Sequence, residues 1–595
     1  MKKLTRILPF LLLAACGKSG GPPVSTAPGP AVVDAPVQME AMGDADPIAD
    51  PTAVHGGTFA SWQGAYPKSL NMWLDTNSFS QVVSSMMFEP LVDLHSTDER
   101  PVGDLARSWE ISPDKQTFTF HLDPNAKWSD GTPVTAADVQ FYYDMIMNPK
   151  NLTSVWRVDL EKINRPVAVD DHTVRVTAKG VHWKNFWIAG GLFAFPRQAW
   201  ANKDFNTINF EFPVVNGPYS LYKVETNRSI ILQRRSDWWG RAQKYNQYKF
   251  NFDYLVFKSM EDRIKALEFL KTGGFDQYAV YTSLIWAKQT QNIPAVQKNW
   301  IVRQDIYNAA PVSFQGLALN MRRPIFQDIR VREALAYLLD RKTMNDKFMF
   351  DAYFLLNSYF PSLYASDVNP AAEETPYDPD KARELLKEAG WEVGPDGILQ
   401  KDGQPFDITI IHYEGSDLRH LTLYSEDLKA VGIRLHIKIV SEANFTEEVD
   451  NHQFDMIWAA WGASRLLDPE PMWSSKTADD IATENYCGLK DAEVDNLIDE
   501  QKTEMDLGKR NDIDRQMDAR LAGLFPYVLM WELNSHRLLY WNRFGTPKYV
   551  LSKFGDESDA YAYWWYDPAK AAALDDAMAR NVALPALPAQ VHYGQ

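Results

Sequence analysis

"FDITIIHYEGSDLRHLTLYSEDLKAVGIRLHIKIV" occupies residues 406–440 and holds three elements in succession. Its periodicities predict a strand over 406–415, a helix over 419–433 and a strand over 434–440. That βαβ order favours a partly parallel sheet, in which ligands bind beyond the carboxyl ends of the strands. "FDMIWAAW" (454–461) follows as the next strand. It ends at Trp461 and delivers its tryptophans and the loop 462–473 to the sheet rim. Packing is the ordinary fate of any one tryptophan, so the rest of the chain has to decide whether this rim binds something.

Working outward, "YDPDKARELLKEAGW" (377–391) is a helix with Pro379 in its first turn and Gly390 past its end. Toward the N-terminus, "SQVVSSMMFEPLVDL" (80–94) has helical spacing, and "WEISPDKQTFTFHLDPNAKW" (109–128) predicts two strands around Ser112-Pro113-Asp114-Lys115. Thr135 with Asp138 forms a capping box, and "VAVDDHTVRVTAK" (167–179) is a hairpin on Asp170-Asp171. At 595 residues the chain exceeds a single core. A net charge of −17 argues against nucleic acid as a partner.

The start, "MKKLTRILPFLLLAACGKSG", combines Lys2, Lys3 and Arg6 with an apolar run too short for a permanent membrane span. Residues 1–15 are therefore expected to be a cleaved signal segment. Residues 16–54 are rich in Pro, Ala and Gly and lack periodicity, which predicts a disordered, extended tether. Cys487 is the only cysteine besides Cys16, so a chain modified at Cys16 has no intramolecular disulfide.

Catalytic signatures are missing. The sequence contains no His-Glu-x-x-His, Cys-x-x-Cys or Gly-x-Ser-x-Gly, and its eleven histidines show no metal-ligand spacing. Asp468 and Glu532 could pair as glycosidase carboxylates, but 78 acids supply many such pairs by chance. We expect no enzymatic activity, cofactor or metal.

Several segments together resemble the family 5 extracellular solute-binding proteins of ABC importers. They are "EPLVDLHSTDERPVGDLARSWEISPDKQTFTFHLDPNAKWSDGTPVTAADV", "NGPYSLYKVETNRSIILQRRSDWW", "FQDIRVREALAYLLDR", "YDPDKARELLKEAGW" and "FDMIWAAW". "LALNMRRPIFQDIRVREALAYLLDRKTMN", "NSYF" and "WNRFGTP…YWWYDP" most resemble the Yej-type oligopeptide/microcin C binding components. The resemblance implies an α/β, two-lobed periplasmic-binding-protein fold (type II-like, cluster C) with an extra domain inserted in the N-terminal lobe. It places the N-terminal lobe at 55–98, 213–310 and 525–575, the inserted domain at 99–212, the second lobe at 311–524 and a C-terminal tail at 576–595. Hinge crossings are expected near 310–320 and 520–530.

The same resemblance implies an oligopeptide or peptide-like ligand, ABC transporter permease subunits as partners and a monomer; an oligosaccharide is the alternative ligand. Leu13-Ala14-Ala15-Cys16 resembles a lipobox, which implies lipidation of Cys16 and an exported, membrane-anchored protein of the periplasm or cell envelope. Gly17 after the cysteine resembles lipoproteins sorted to an outer membrane.

Peptide-binding members place an acid for the ligand's amine just after the strand-end tryptophan; Ser464 stands at that position here. The implied ligand-binding residues are Trp461 and Ser464, Trp156 and Arg157 of "SVWRVDL", Asn444, Arg419, Asn77 and Ser78. Asp468 or Glu470 would take the amine from farther along the loop; the competing reading of Asp468 is a cap for the helix at Pro469-Glu470. Packing explains Trp458, Trp473 and Tyr281 as well as ligand contact does.

Overall fold

The computed structural model describes residues 29–34 and 44–595, apart from 365–366, 368, 371, 373 and 414–417. The expected signal segment, Cys16 and parts of the tether lie outside the described residues. No helix among the described residues is long and apolar enough to cross a membrane.

The larger sheet has eight strands in the order Gln590–His592, Ile301–Tyr307, His536–Trp541, Gln277–Ala279, Thr58–Gln63, Tyr254–Ser259, Ser229–Arg234 and Tyr219–Glu225. Thr58–Gln63 runs parallel to both of its neighbours. The two-residue strand period sorts the side chains. Phe59, Leu255 and Phe257 enter the main core, whereas Ala60, Tyr254 and Val256 form a small cluster with Ile231 on the opposite face.

A separate antiparallel sheet joins Ala106–Ile111, Thr117–Leu122, Thr173–Thr177 and Val167–Asp170. Phe118, Phe120 and Leu122 alternate inward as expected. Helix Ala136–Met147 starts at the predicted capping box, the Thr135 N–H donating to Asp138 Oδ2 at 2.8 Å. One apolar core runs without a break from Phe59 through Phe88 and Trp200 to Phe120 and Trp128, so this sheet and the large one share a single core.

The third body is a five-stranded sheet in the order Arg434–Val440, Asp407–Tyr413, Met456–Ala460, Gln315–Leu319 and Tyr527–Leu529. Asp407–Tyr413 lies parallel to both neighbours, as the βαβ reading requires. Its two faces carry different cores, Leu317, Ile410 and Met456 on one and Ala318, Ile411 and Ile457 on the other. Helix Pro379–Glu388 is capped by Asp378 and followed by Gly390 at φ 88°, a left-handed position suited to glycine.

Four expectations are corrected. The helix predicted over 80–94 covers only Ser78–Ser85; the Met87 carbonyl accepts from Gly217 N–H, and the chain turns at Pro90 into the strand Val92–Leu94. A Cβ on Gly217 would fall 2.7 Å from the Met87 carbonyl carbon, so this approach needs glycine. Tyr527–Leu529, expected in the first lobe, pairs instead with Gln315–Leu319, and Trp531–Glu532 pairs with Phe354–Leu355, which moves the second crossing to 533–535. The segment expected as a C-terminal tail is structured: Gln590–His592 adds in parallel to Ile301–Tyr307, and His592 stacks on Tyr307 at 4.6 Å. Finally, residues 44–54 dock rather than trail. Asp46, 2% exposed, accepts from Ser96 and Tyr563 and pairs with Lys249.

Candidate functional site: the rim between two lobes

Parallel alignment places the carboxyl ends of Asp407–Tyr413, Arg434–Val440 and Met456–Ala460 on one rim of the smaller sheet. Gln315 lies opposite Ala460 and so begins its own strand at that rim. Four of the expected residues gather there. Trp461 directly follows Met456–Ala460, with Ser464 in the loop behind it; Asn444 sits in helix Glu442–Asp450 and Arg419 opens helix Arg419–Ala430.

Trp461 is half-buried. Its N–H donates to the Phe314 carbonyl, its indole donates to Tyr527 Oη at 3.2 Å, and its ring lies 4.9 Å from that of Tyr486. Ser464 is exposed, and its hydroxyl shapes the loop by accepting from Leu466 N–H. Asn444 is exposed, and the Arg419 guanidinium lies 5.3 Å from the Phe348 ring centroid.

The other expected residues do structural work. Arg157 donates to the carbonyls of Asn148 and Asn151 where helix Ala136–Met147 ends, and Trp156 packs on the main core. Asn77 caps Ser78–Ser85 by accepting from Phe79 N–H, with Ser78 exposed at the first helical position. Trp473 is core at 1% exposure. Trp458 donates to Gln315 Oε1 at 3.1 Å, and Tyr281 donates to Glu557.

Asp468 and Glu470 are corrected as free partners for a ligand's amine. Lys184, on the insertion, reaches Asp468 at 3.3 Å, and Lys502 pairs with Glu470. Asp468 Oδ1 also accepts from Glu470 N–H, in keeping with the capping alternative. The potential ligating atoms of His182, Asp468 and Glu470 lie within 4.8 Å of one another, a convergence that sequence spacing concealed. Two lysines already neutralise both carboxylates, and burial lowers the His182 pKa. The arrangement suits a salt-bridged contact between lobes better than a cation site.

Beside it lies a contact with no sequence signal. Trp183, 4% exposed, leaves the insertion and enters the second lobe. Its indole donates to Gln501 at 2.9 Å, its backbone N–H donates to the Lys502 carbonyl, and the Arg510 guanidinium covers its ring at 4.4 Å. A cavity of about 270 Å³ next to it is lined by Glu99, Trp183, Trp187, Arg465 and Arg510 among others. Arg465, from the loop after Trp461, stacks over Phe554 of the first lobe at 4.9 Å.

Glu532 went unrecognised as a rim residue. It ends the short strand Trp531–Glu532, paired with Phe354–Leu355 just before the lobe crossing, and accepts from Gln315 Nε2 at 3.1 Å and from Leu533 N–H. Burial, only partly offset by those hydrogen bonds, pushes its carboxyl up to about 7.

The model of bacterial extracellular solute-binding proteins, family 5, matches residues 100–483. YejA of Escherichia coli K12 is 26% identical over 511 residues, covering 80% of this chain and 82% of that protein. A probable peptide-binding protein, YejA of Agrobacterium fabrum, is 23% identical over 529 residues, 81% and 84% of the two chains. Among solved structures, the oligopeptide-binding protein AppA of Bacillus subtilis, in complex with a nonapeptide, superposes with a TM-score of 0.67. That match is 20% identical and covers 87% of this chain and all of the other, so it establishes the two-lobed α/β fold.

Two substitutions separate the roles at this interface. Trp183→Ala removes a contact made only when the lobes meet, so the ligand-free protein should expand in solution scattering and bind about tenfold more weakly, about 1.4 kcal/mol. Trp461→Ala should weaken binding by roughly 1–3 kcal/mol, as for a lost aromatic anchor. It should also lower stability by roughly 2 kcal/mol, because the ring is partly core; Trp461→Phe should keep most of both. Calorimetric affinity and thermal melting on each variant check these outcomes.

Proposed function

This chain belongs to the bacterial extracellular solute-binding proteins, family 5, and on that premise we propose that it captures oligopeptides between its lobes and delivers them to an ABC importer. The rim carrying Trp461, Ser464, Asn444 and Arg419, set at the crossing of two bodies with separate cores, carries the reading. The named relative in Agrobacterium and the nonapeptide held by AppA support a peptide over other solutes. Ligand closes the lobes about 308–313 and 533–535, residues 99–212 moving with the first lobe. The peptide leaves chemically unchanged, and the protein acts as a monomer.

Native mass spectrometry of the purified protein should show co-purifying peptides, and a bound peptide should shrink the scattering radius. Co-purifying sugars would instead favour an oligosaccharide binder. Turnover of either ligand would overturn the transport reading.

With Asp468 and Glu470 occupied by lysines, Glu532 is the rim acid that takes the peptide amine. A cation beside it would draw its pKa down from about 7, so binding near neutral pH should release a proton. N-acetylation of the peptide and Glu532→Gln should each weaken binding roughly 10–100-fold, about 1.4–2.8 kcal/mol, and their effects should not add. Undiminished affinity of the acetylated peptide would remove the assignment. The linked stability has a definite sign: a carboxyl raised from 4.5 to about 7 holds its proton more tightly when folded. The associated stability is complete below 4.5 and disappears as pH rises through 7. Glu532→Gln should therefore melt like wild type in acid and above it at about pH 8.

The lipobox-like Leu13-Ala14-Ala15-Cys16 supports export and acylation at Cys16, leaving the protein anchored in the cell envelope. Cys16→Ser should move it from the membrane to the soluble fraction and abolish acyl labelling. Absence of an acyl chain on the wild-type protein by mass spectrometry would refute anchoring.

A further inference from the structure

Against a chain of net charge −17, one place on the first lobe gathers cations around a single carboxylate. Asp34, near the N-terminal end of the described chain, accepts from Arg234 Nη1 at 2.6 Å. His55 Nδ1 lies 2.6 Å from its other oxygen, and Arg241 Nη1 lies 3.3 Å from the first. The Arg234 side chain is 3% exposed and is shared with Asp253 at 2.9 Å. Arg241 otherwise donates to the Ser236 carbonyl at 2.5 Å. Burial pushes the Asp34 carboxyl up, but hydrogen bonds and charge from Arg234 and His55 outweigh it and hold the group below the usual carboxylate range.

Two further observations show that residues 29–34 sit in a prepared place. Tyr254 Oη donates to the Pro30 carbonyl at 2.9 Å, and Gly29 lies so close to Tyr254 that an added Cβ would fall 2.3 Å from the hydroxyl. A cavity of about 410 Å³ alongside is lined by His55, Arg234, Arg235, Trp238, Arg241 and Lys249. Lys249 is in turn paired with Asp46, so two carboxylates of the N-terminal segment attach to one basic surface.

We propose that Arg234, Arg241 and His55 form a carboxylate-binding site whose occupant is Asp34 of the chain's own N-terminal segment, and that its occupation shortens the tether. The shortening rests on the anchoring of Cys16; the docking does not. With Asp46 as the only attachment, thirty residues separate it from Cys16, a reach of up to about 100 Å at ~3.4 Å per residue. With residues 29–34 docked, thirteen residues lead from Cys16 to Gly29, a reach of up to about 45 Å at ~3.4 Å per residue. The site thus switches the lobes between a position near the membrane and one farther out. Ion pairs near the surface weaken with salt, so ionic strength sets the balance.

Docking is measured on full-length protein carrying Cys16→Ser and a fluorophore at Val33→Cys; Val33 is 85% exposed, and the remaining thiol, Cys487, is buried. Asp34→Asn and Arg241→Ala should each lower the label's anisotropy toward that of a free segment. The double variant should fall no further, and salt at about 1 M should act on the parent alone. Circular dichroism and melting of the rest of the fold should stay unchanged. Anisotropy indifferent to both substitutions, or additive losses, would overturn the site. For the shortening, acylated protein on a supported bilayer is measured by neutron reflectometry, and Asp34→Asn should thicken the protein layer. Equal thickness in variants shown to undock would overturn the switch. A wild-type protein without an acyl chain would remove the anchoring premise and leave the carboxylate site standing.

Discussion

Two sets of hydrophobic cores that never merge govern this molecule. One apolar body unites the eight-stranded sheet with the insertion, and the other two coat opposite faces of the five-stranded sheet. Burial is non-directional and scales with area, so a continuous core resists bending and a gap between cores yields. The chain passes from one body to the other at 308–313 and 533–535, outside both sets of cores. The rim with Trp461 belongs to one body, and Trp183 and Lys184 belong to the other.

The contacts that bridge the gap are modest. Trp183 inserts between Gln501 and Arg510, Lys184 meets Asp468, and Arg465 stacks on Phe554. Partly exposed ion pairs contribute on the order of 1 kcal/mol or less, so the ion pairs across the gap are weak ties. In the proposed reading such ties suit a carrier, since a ligand shifts an equilibrium only by the difference in its affinity for the two states.

Local order was legible because it is written in short periods and caps. The strands at 407–413, 434–440 and 456–460, the Thr135–Asp138 box and the Asp378-Pro379 start each depend on neighbours a few residues away. The parallel register then carried Trp461, Ser464, Asn444 and Arg419 to one rim. What escaped depends on distant partners. Arg157 is an exposed-looking cation in sequence, yet it satisfies carbonyls at a helix end. Asp468 looks free until Lys184, 284 positions away, arrives beside it. Three residues, Gln590–His592, are too few to display a strand period, so only the edge they cover reveals them.

The same distinction explains why the acids of this protein cannot be ranked by position along the chain. Asp468, Glu470 and Glu532 are equally plain carboxylates in sequence, but each loses water to a different degree and finds a different partner. Asp468 and Glu470 receive ammonium groups from Lys184 and Lys502, and their charge is spent on holding elements together. Glu532 receives only an amide and a backbone N–H, no ion pair among the described residues, and is pushed up to about 7. A half-buried acid without a cation is the group with most to gain from a ligand that brings one, since the incoming charge relieves a desolvation already incurred in folding. In the proposed reading, recognition of a peptide's amine thus passes from the loop after Trp461 to Glu532, beside the lobe crossing.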